Sequence, residues 1–168
     1  MHYRYYHERL NTDAIGRYDV TPLFADGEVF ANLVEDLLAP APEATTHVVG
    51  IEALGFVLGG AVARAGGFGF VPVRKGGKLP LRDEEVLRRS LTDYSGERKT
   101  LELARALVDG GTRAFLVDDW VETGAQMTAA TDLVERAGGE VVGVSVLRAH
   151  RDERTRDLFE RYDVHTIG

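Results

Sequence analysis

Four short, almost unbroken apolar runs constrain this chain more than any other feature: HVVGIE (47–52), GFVPVR (69–74), TRAFLVDD (112–119) and EVVGVSVL (140–147). Runs of this length, flanked by Gly and acidic residues, predict strands buried on both faces. Between the first two lies GFVLGGAVARAG (55–66), and between the last two AQMTAATDLVERAG (125–138). Both read as helices. The second has helical periodicity and a Gly stop, and the first carries small residues that permit close packing. RDERTRDLFERY (151–162) reads as a polar amphipathic helix and DVHTI (163–167) as a last short strand. Strands alternating with helices give a parallel sheet covered on its faces. The expected class is α/β: a central, mainly parallel twisted sheet flanked by helices. Ligands of such sheets bind beyond the C-terminal strand ends, so the residues that follow each run matter most.

Length and composition narrow the function. A chain of 168 residues is expected to form one domain. Residues 75–89 are rich in Gly, Pro and charge and predict a long, flexible loop, while APAPEATT (39–46) reads as a surface loop. The chain has no Cys, which removes disulfides, thiolate catalysis and Cys-ligated zinc. Its five His residues show no metal-ligand spacing. A net charge of −7 argues against a nucleic-acid partner. The longest apolar stretch, ALGFVLGGAVA (53–63), is too short to cross a bilayer, and MHYRYYHERL (1–10) lacks the apolar core of a secretory signal. No membrane association and a cytoplasmic location are expected. Neither GxxxxGK[ST] nor a GxGxxG following a strand occurs, which excludes the P-loop and dinucleotide-binding versions of the fold.

The most informative segment is AFLVDDWVETGAQMTAA (114–130). A buried strand delivers Asp118 and Asp119 to the ligand edge of the sheet, and a helix begins near Ala125. A helix N-terminus offers unpaired N–H groups and partial positive charge, which together cradle phosphate. Gly124 allows close backbone approach, and Thr123 and Thr128 add hydroxyl donors. Two carboxylates beside a phosphate would repel it, unless they hold ribose hydroxyls or a Mg²⁺ through water. A phosphorylated sugar satisfies both halves.

This segment resembles the phosphoribosyl-pyrophosphate (PRPP) motif of the type I phosphoribosyltransferases. The similarity to the adenine phosphoribosyltransferase branch extends further. HVVGIEALGFVLGGAVA (47–63) resembles the family's second strand and following helix, GFVPVRKGGKLP (69–80) its next strand and the start of its catalytic loop, and GRYDVTPLF (16–24) the segment that closes over the base. The resemblance implies transfer of the 5-phosphoribosyl group of PRPP to a purine-type base, adenine by overall likeness, with release of pyrophosphate through an oxocarbenium-like transition state. It implies Mg²⁺ as cofactor, a homodimer, and an N-terminal hood over the base site at about residues 1–26.

Carried over residue by residue, Asp118 and Asp119 hold the ribose hydroxyls and the Mg²⁺ shell. Glu122, Thr123, Gly124, Ala125 and Gln126, with Thr128, wrap the 5′-phosphate. Arg74, Lys75 and Lys78 face the departing pyrophosphate, with Lys78 among the catalytic residues. Asp93, in SLTDYSGE (90–97), is a candidate proton donor or acceptor. Arg17, Tyr18 and Glu122 border the base. Trp120 reads most simply as packing on the sheet edge. The chain departs from the family pattern in places. Leu54 stands where an Arg contacts pyrophosphate, Arg17-Tyr18-Asp19 replaces Phe-Arg-Asp, and Ala125 and Gln126 replace Gly and Thr. Glu122 stands where the adenine branch has a small residue and the hypoxanthine/guanine and xanthine branches have an acid facing purine N7. A 6-oxopurine or other-base transferase, or a non-catalytic PRPP sensor, are the alternative readings.

Overall fold

Each apolar run becomes a strand, because extended backbone is the only way to bury successive side chains on opposite faces of one layer. A computed structural model describes residues 3–11, 18–92 and 97–168. In chain order the elements are α1 (Tyr3–His7), α2 (Pro22–Ala25), α3 (Gly27–Leu38), β1 (His47–Ile51), α4 (Leu54–Gly66), β2 (Gly69–Lys75), β3 (Val86–Thr92), β4 (Arg98–Ala104), β5 (Arg113–Val121), α5 (Ala125–Arg136), β6 (Glu140–Ala149), α6 (Arg156–Arg161) and β7 (Val164–Thr166). The seven strands form one sheet in the order β3-β4-β2-β1-β5-β6-β7. Strands β2, β1, β5, β6 and β7 run parallel. Strand β4 is antiparallel to both β2 and β3.

The sheet is buried on both faces by adjacent residues of the same strands. Val49, Leu116 and Val144 pack with Met127, Ala130, Leu133 and Val134 of α5 on one face. Val48, Phe115 and Val117 pack with α3 and α4 on the other, through Leu33, Leu37, Leu58 and Val62. Helix α4 approaches β1 unusually closely. A Cβ at Gly50 would lie 2.8 Å from the Gly55 carbonyl carbon and 3.0 Å from the Phe70 ring. One at Gly55 would lie 2.9 Å from Asp118 Oδ1. The small residues of this helix therefore seat it against the strand end that carries the acids. No helix among the described residues is long and apolar enough to cross a membrane.

Several elements differ from the reading of the sequence. The segment 75–89 is not one loop: Lys75 ends β2, and residues 86–89 already belong to β3. Only Val86 and Leu87 of that edge strand are buried, and the polar run behind them hides the strand. Strand β4 escapes notice because Glu102, 2% exposed, occupies a core position between Leu101 and Leu103. Helix α3 goes unassigned although it is well marked: the Asp26 carboxylate caps it by accepting from the N–H groups of Glu28 and Val29, and Val29, Leu33, Val34 and Leu37 form its buried stripe. Helix α6 is half the expected length, because residues 151–155 wind into a turn around buried Thr155, whose hydroxyl donates to the His150 carbonyl at 2.8 Å. Strand β5 runs two residues past the acid pair.

Candidate active site

The connections on either side of β1 and β5 diverge. The chain leaves β1 through α4 toward β2, and leaves β5 through α5 toward β6, with the two helices on opposite faces. A crevice opens where strand order reverses in this way. A cleft of about 690 Å³ lies there, lined by Glu52, Ala53 and Leu54 after β1, by Asp118 through Met127, and by Tyr18, Lys75, Arg148 and His150.

Asp118 sits where the β1–β5 pairing has ended, its last partner being Gly50 against Val117. Its carboxylate accepts from the Asp119 N–H at 3.0 Å. Burial, then the neighbouring Asp119 charge, push the Asp118 carboxyl well above the ordinary carboxylate range, and the Lys75 ammonium opposes them. Two adjacent acids, one of them buried, leave a site that gains from positive charge. A divalent cation fits that need, and Asp118 and Asp119 are the residues that would hold it. Among the described residues no three His, Asp or Glu side chains converge, so such an ion would take its remaining ligands from substrate oxygens and water.

The loop from Glu122 to Gln126 turns into α5 through Gly124, whose φ of 74° lies in the left-handed region. Thr123 Oγ1 accepts from the Ala125 N–H at 3.4 Å, and Ala125 keeps a negative φ. The first turn of α5 thus presents backbone donors to the cleft, with Thr123 and Gln126 beside them. Glu122 lines the cleft and lies in the electrostatic field of Arg154, so it is not the isolated acid that its place in the sequence suggests.

Not all of the residues named from sequence converge. Asp118, Asp119, Glu122, Thr123, Gly124, Ala125, Gln126, Lys75 and Tyr18 line the cleft. Thr128 does not: it is exposed and borders a separate shallow groove with Asp157 and Arg161. It lies one turn into α5, which begins at Ala125. Arg74 and Lys78 do not line the cleft wall either, because both are drawn to Glu52. Lys78 Nζ forms an ion pair with Glu52 Oε1, Arg74 Nε lies 3.5 Å from Glu52 Oε2, and the Arg74 guanidinium donates to the Lys78 carbonyl at 3.1 Å. Glu52 also accepts from the Lys75 N–H at 3.1 Å. These contacts, the Lys78 bond first, hold its carboxyl below the ordinary range against the effect of burial. Arg17 and Asp93 lie outside the described residues.

Sequence reasoning missed Glu52, Arg148 and His150, and placed Trp120 on the sheet edge rather than in the cleft. Trp120 stacks at a tilt on Tyr18 with centroids 5.5 Å apart, and the Arg148 guanidinium lies over its ring at 5.6 Å. The available signal was positional: Arg148 lies at the C-terminal end of β6, in register with Trp120.

The phosphoribosyl transferase domain family matches this chain over residues 24–168. The chain belongs to the phosphoribosyltransferase family. It is 46% identical over 132 residues to the adenine phosphoribosyltransferase of Kineococcus radiotolerans, covering 77% of this chain and 68% of that one. It is 41% identical over 149 residues to that of Clavibacter michiganensis subsp. michiganensis, covering 89% and 82%. The crystal structure of the adenine phosphoribosyltransferase of Rhodothermus marinus superposes with a TM-score of 0.87 at 35% identity, over 98% of this chain and 96% of that one. Phosphoribosyltransferases are pentosyltransferases, and the mainly parallel seven-stranded sheet found here is the type I form of their fold.

Proposed function

We propose that this phosphoribosyltransferase moves the 5-phosphoribosyl group of PRPP onto a purine base, adenine being the acceptor named for its relatives, and releases pyrophosphate. The observation that carries the proposal is the cleft at the strand-order reversal, where an acid pair, Asp118 of it buried, stands beside a helix N-terminus opened by Gly124. The α5 donors, Thr123 and Gln126 take the 5′-phosphate. Asp118 and Asp119 take the ribose hydroxyls and, through water, Mg²⁺, which when bound neutralises the pyrophosphate. Lys75, with Lys78 and Arg74 once they part from Glu52, takes the pyrophosphate end. Leu54 supplies no charge there, so these three cations compensate for a missing one. Glu122 faces the base. Asp93 and Arg17 complete the proton-transfer and base-covering groups, residues 76–85, between β2 and β3, act as a lid that excludes water, and residues 1–26 act as the hood. The chain works as a cytoplasmic homodimer without nucleic-acid or membrane partners.

The experiment is a steady-state assay of pyrophosphate release from PRPP and Mg²⁺ with adenine. Adenine-dependent release supports the proposal. PRPP binding without release on adding any purine base overturns it in favour of a PRPP sensor.

A further inference from the structure

The pyrophosphate end of the cleft already holds an anion of the protein's own. Glu52 follows β1 on the cleft wall, with its side chain 13% exposed. Its Oε1 pairs with Lys78 Nζ, while its Oε2 lies 3.5 Å from Arg74 Nε and accepts from the Lys75 N–H at 3.1 Å. One carboxylate thus gathers two of the cations assigned to pyrophosphate, and the backbone of the third. The gathering is imperfect. The Arg74 contact is too long to be a good hydrogen bond, and Arg74 Nε is buried with no hydrogen-bond partner among the described residues. A buried donor left unsatisfied costs free energy, which a better-placed acceptor oxygen would recover.

The root of the lid lets these contacts exchange. The Lys78 N–H donates to the Glu102 carboxylate at 3.3 Å, and buried Glu102 is itself paired with Arg88 Nε at 2.8 Å. The Gly76 N–H donates to the Thr100 carbonyl at 2.7 Å. The backbone at the start of the lid is therefore fixed to β4, while among the described residues the Lys78 ammonium is held by Glu52 alone. A lysine's flexible stem lets that ammonium swing about a fixed Cα. Glu52 and a diphosphate offer these cations the same thing, anionic oxygens, and the two cannot hold the same N–H groups at once. We propose that Glu52 is a positioning residue that competes with pyrophosphate for Lys78 and Arg74: it stores the cations at the cleft, yields them to the pyrophosphate group of the substrate, and takes them back as pyrophosphate leaves. The inference rests on the reading of Arg74, Lys75 and Lys78 as the pyrophosphate end, and adds the residue that sets how tightly that end holds its ligand.

The test is a calorimetric titration of the chain with pyrophosphate and Mg²⁺, with no base present. Glu52→Gln keeps an acceptor for the Lys75 N–H and removes the charge. It should tighten pyrophosphate binding by about 5- to 30-fold, the gain when a ligand no longer competes with a conformation populated at about 80–97%. In a Lys78→Met background the same substitution should tighten binding by less than about threefold, because the cation it frees is gone. In turnover, Glu52→Gln should strengthen product inhibition by pyrophosphate and lower the KM for PRPP, whereas damage to the fold would raise that KM. Glu52→Asp, which keeps the charge and shortens the reach, should show part of the gain. Unchanged or weaker pyrophosphate binding by Glu52→Gln overturns the inference and makes Glu52 a support for the ligand. An equal gain with and without Lys78 also overturns it, and makes Glu52 a source of general repulsion. Should circular dichroism show Glu52→Gln unfolded, Glu52→Asp carries the comparison, and binding no tighter than wild type overturns the inference. If neither wild type nor the Glu52 variants bind pyrophosphate, the reading of this end of the cleft fails and this inference with it, an outcome distinct from the others.

Discussion

Gly50 and Gly60 both stand in the β1–α4 unit, and replacing each with Ala should have opposite effects. At Gly60, in the interior of α4, a Cβ would meet nothing within 4 Å. There Ala gains only the helix preference, about 0.5–1 kcal/mol over Gly. At Gly50 the added methyl would lie 2.8 Å from the Gly55 carbonyl carbon, an atom fixed in the backbone at the start of α4, and 3.0 Å from the Phe70 ring. The Gly55 carbonyl cannot yield without moving the helix, so an overpacking cost of about 1–3 kcal/mol is expected. At roughly 2–4 °C per kcal/mol for a domain of this size, Gly50→Ala should lower Tm by about 2–12 °C and Gly60→Ala should raise it by about 1–4 °C. The same shift would displace Gly55 from Asp118 and alter the Glu52–Leu54 segment, so Gly50→Ala should also raise the KM for PRPP. Thermal unfolding by circular dichroism, with the PRPP titration run on the same samples, measures both. Gly50→Ala with unchanged Tm and KM would refute the claim that α4 is seated on β1 through bare backbone.

Three further outcomes follow. Asp118→Asn should stabilise the protein near neutral pH: burial and Asp119 raise the native carboxyl's pKa, so the stability it provides is full at low pH and is lost as pH rises from about 4 through its raised native value. The gain in Tm should therefore be larger at pH 7 than at pH 5, and equal gains would contradict the assignment. Glu102→Gln should cost about 1–3 kcal/mol by urea unfolding and raise the KM for PRPP, since the buried carboxylate holds the Gly77, Lys78 and Leu79 N–H groups and Arg88 Nε at 2.8 Å. Unchanged KM would show that this anchor does not position Lys78. Glu122→Ala should lower kcat at least tenfold while changing PRPP affinity by less than about threefold, the range for one proton-handling group. Equal loss of both would place Glu122 on the phosphate side.

Much of this organisation was legible in the chain because it rests on local pattern. The four buried strands announce themselves as apolar runs, and the acid pair followed by Gly124 marks a strand end, a turn and a helix start in eight residues. The rest depends on partners far apart in sequence. Strand β4 carries a buried Glu whose charge is satisfied by Arg88 and by the turn at 77–79, and no single-residue pattern displays that. Arg74 and Lys78 look like free cations until Glu52, more than twenty residues earlier, is seen to pair with both. Thr128 shares a helix with the phosphate-facing turn but lies one turn too far along it. Trp120 and Arg148 meet only because β5 and β6 are in register.

The most direct test of the central claim is a calorimetric titration of the wild-type chain and of Asp119→Asn with PRPP in the presence of Mg²⁺. One site per chain for wild type, with affinity weakened at least tenfold by removing one charged ligand contact, is the predicted result. No PRPP binding by the wild type, or binding that Asp119→Asn leaves unchanged, would contradict it.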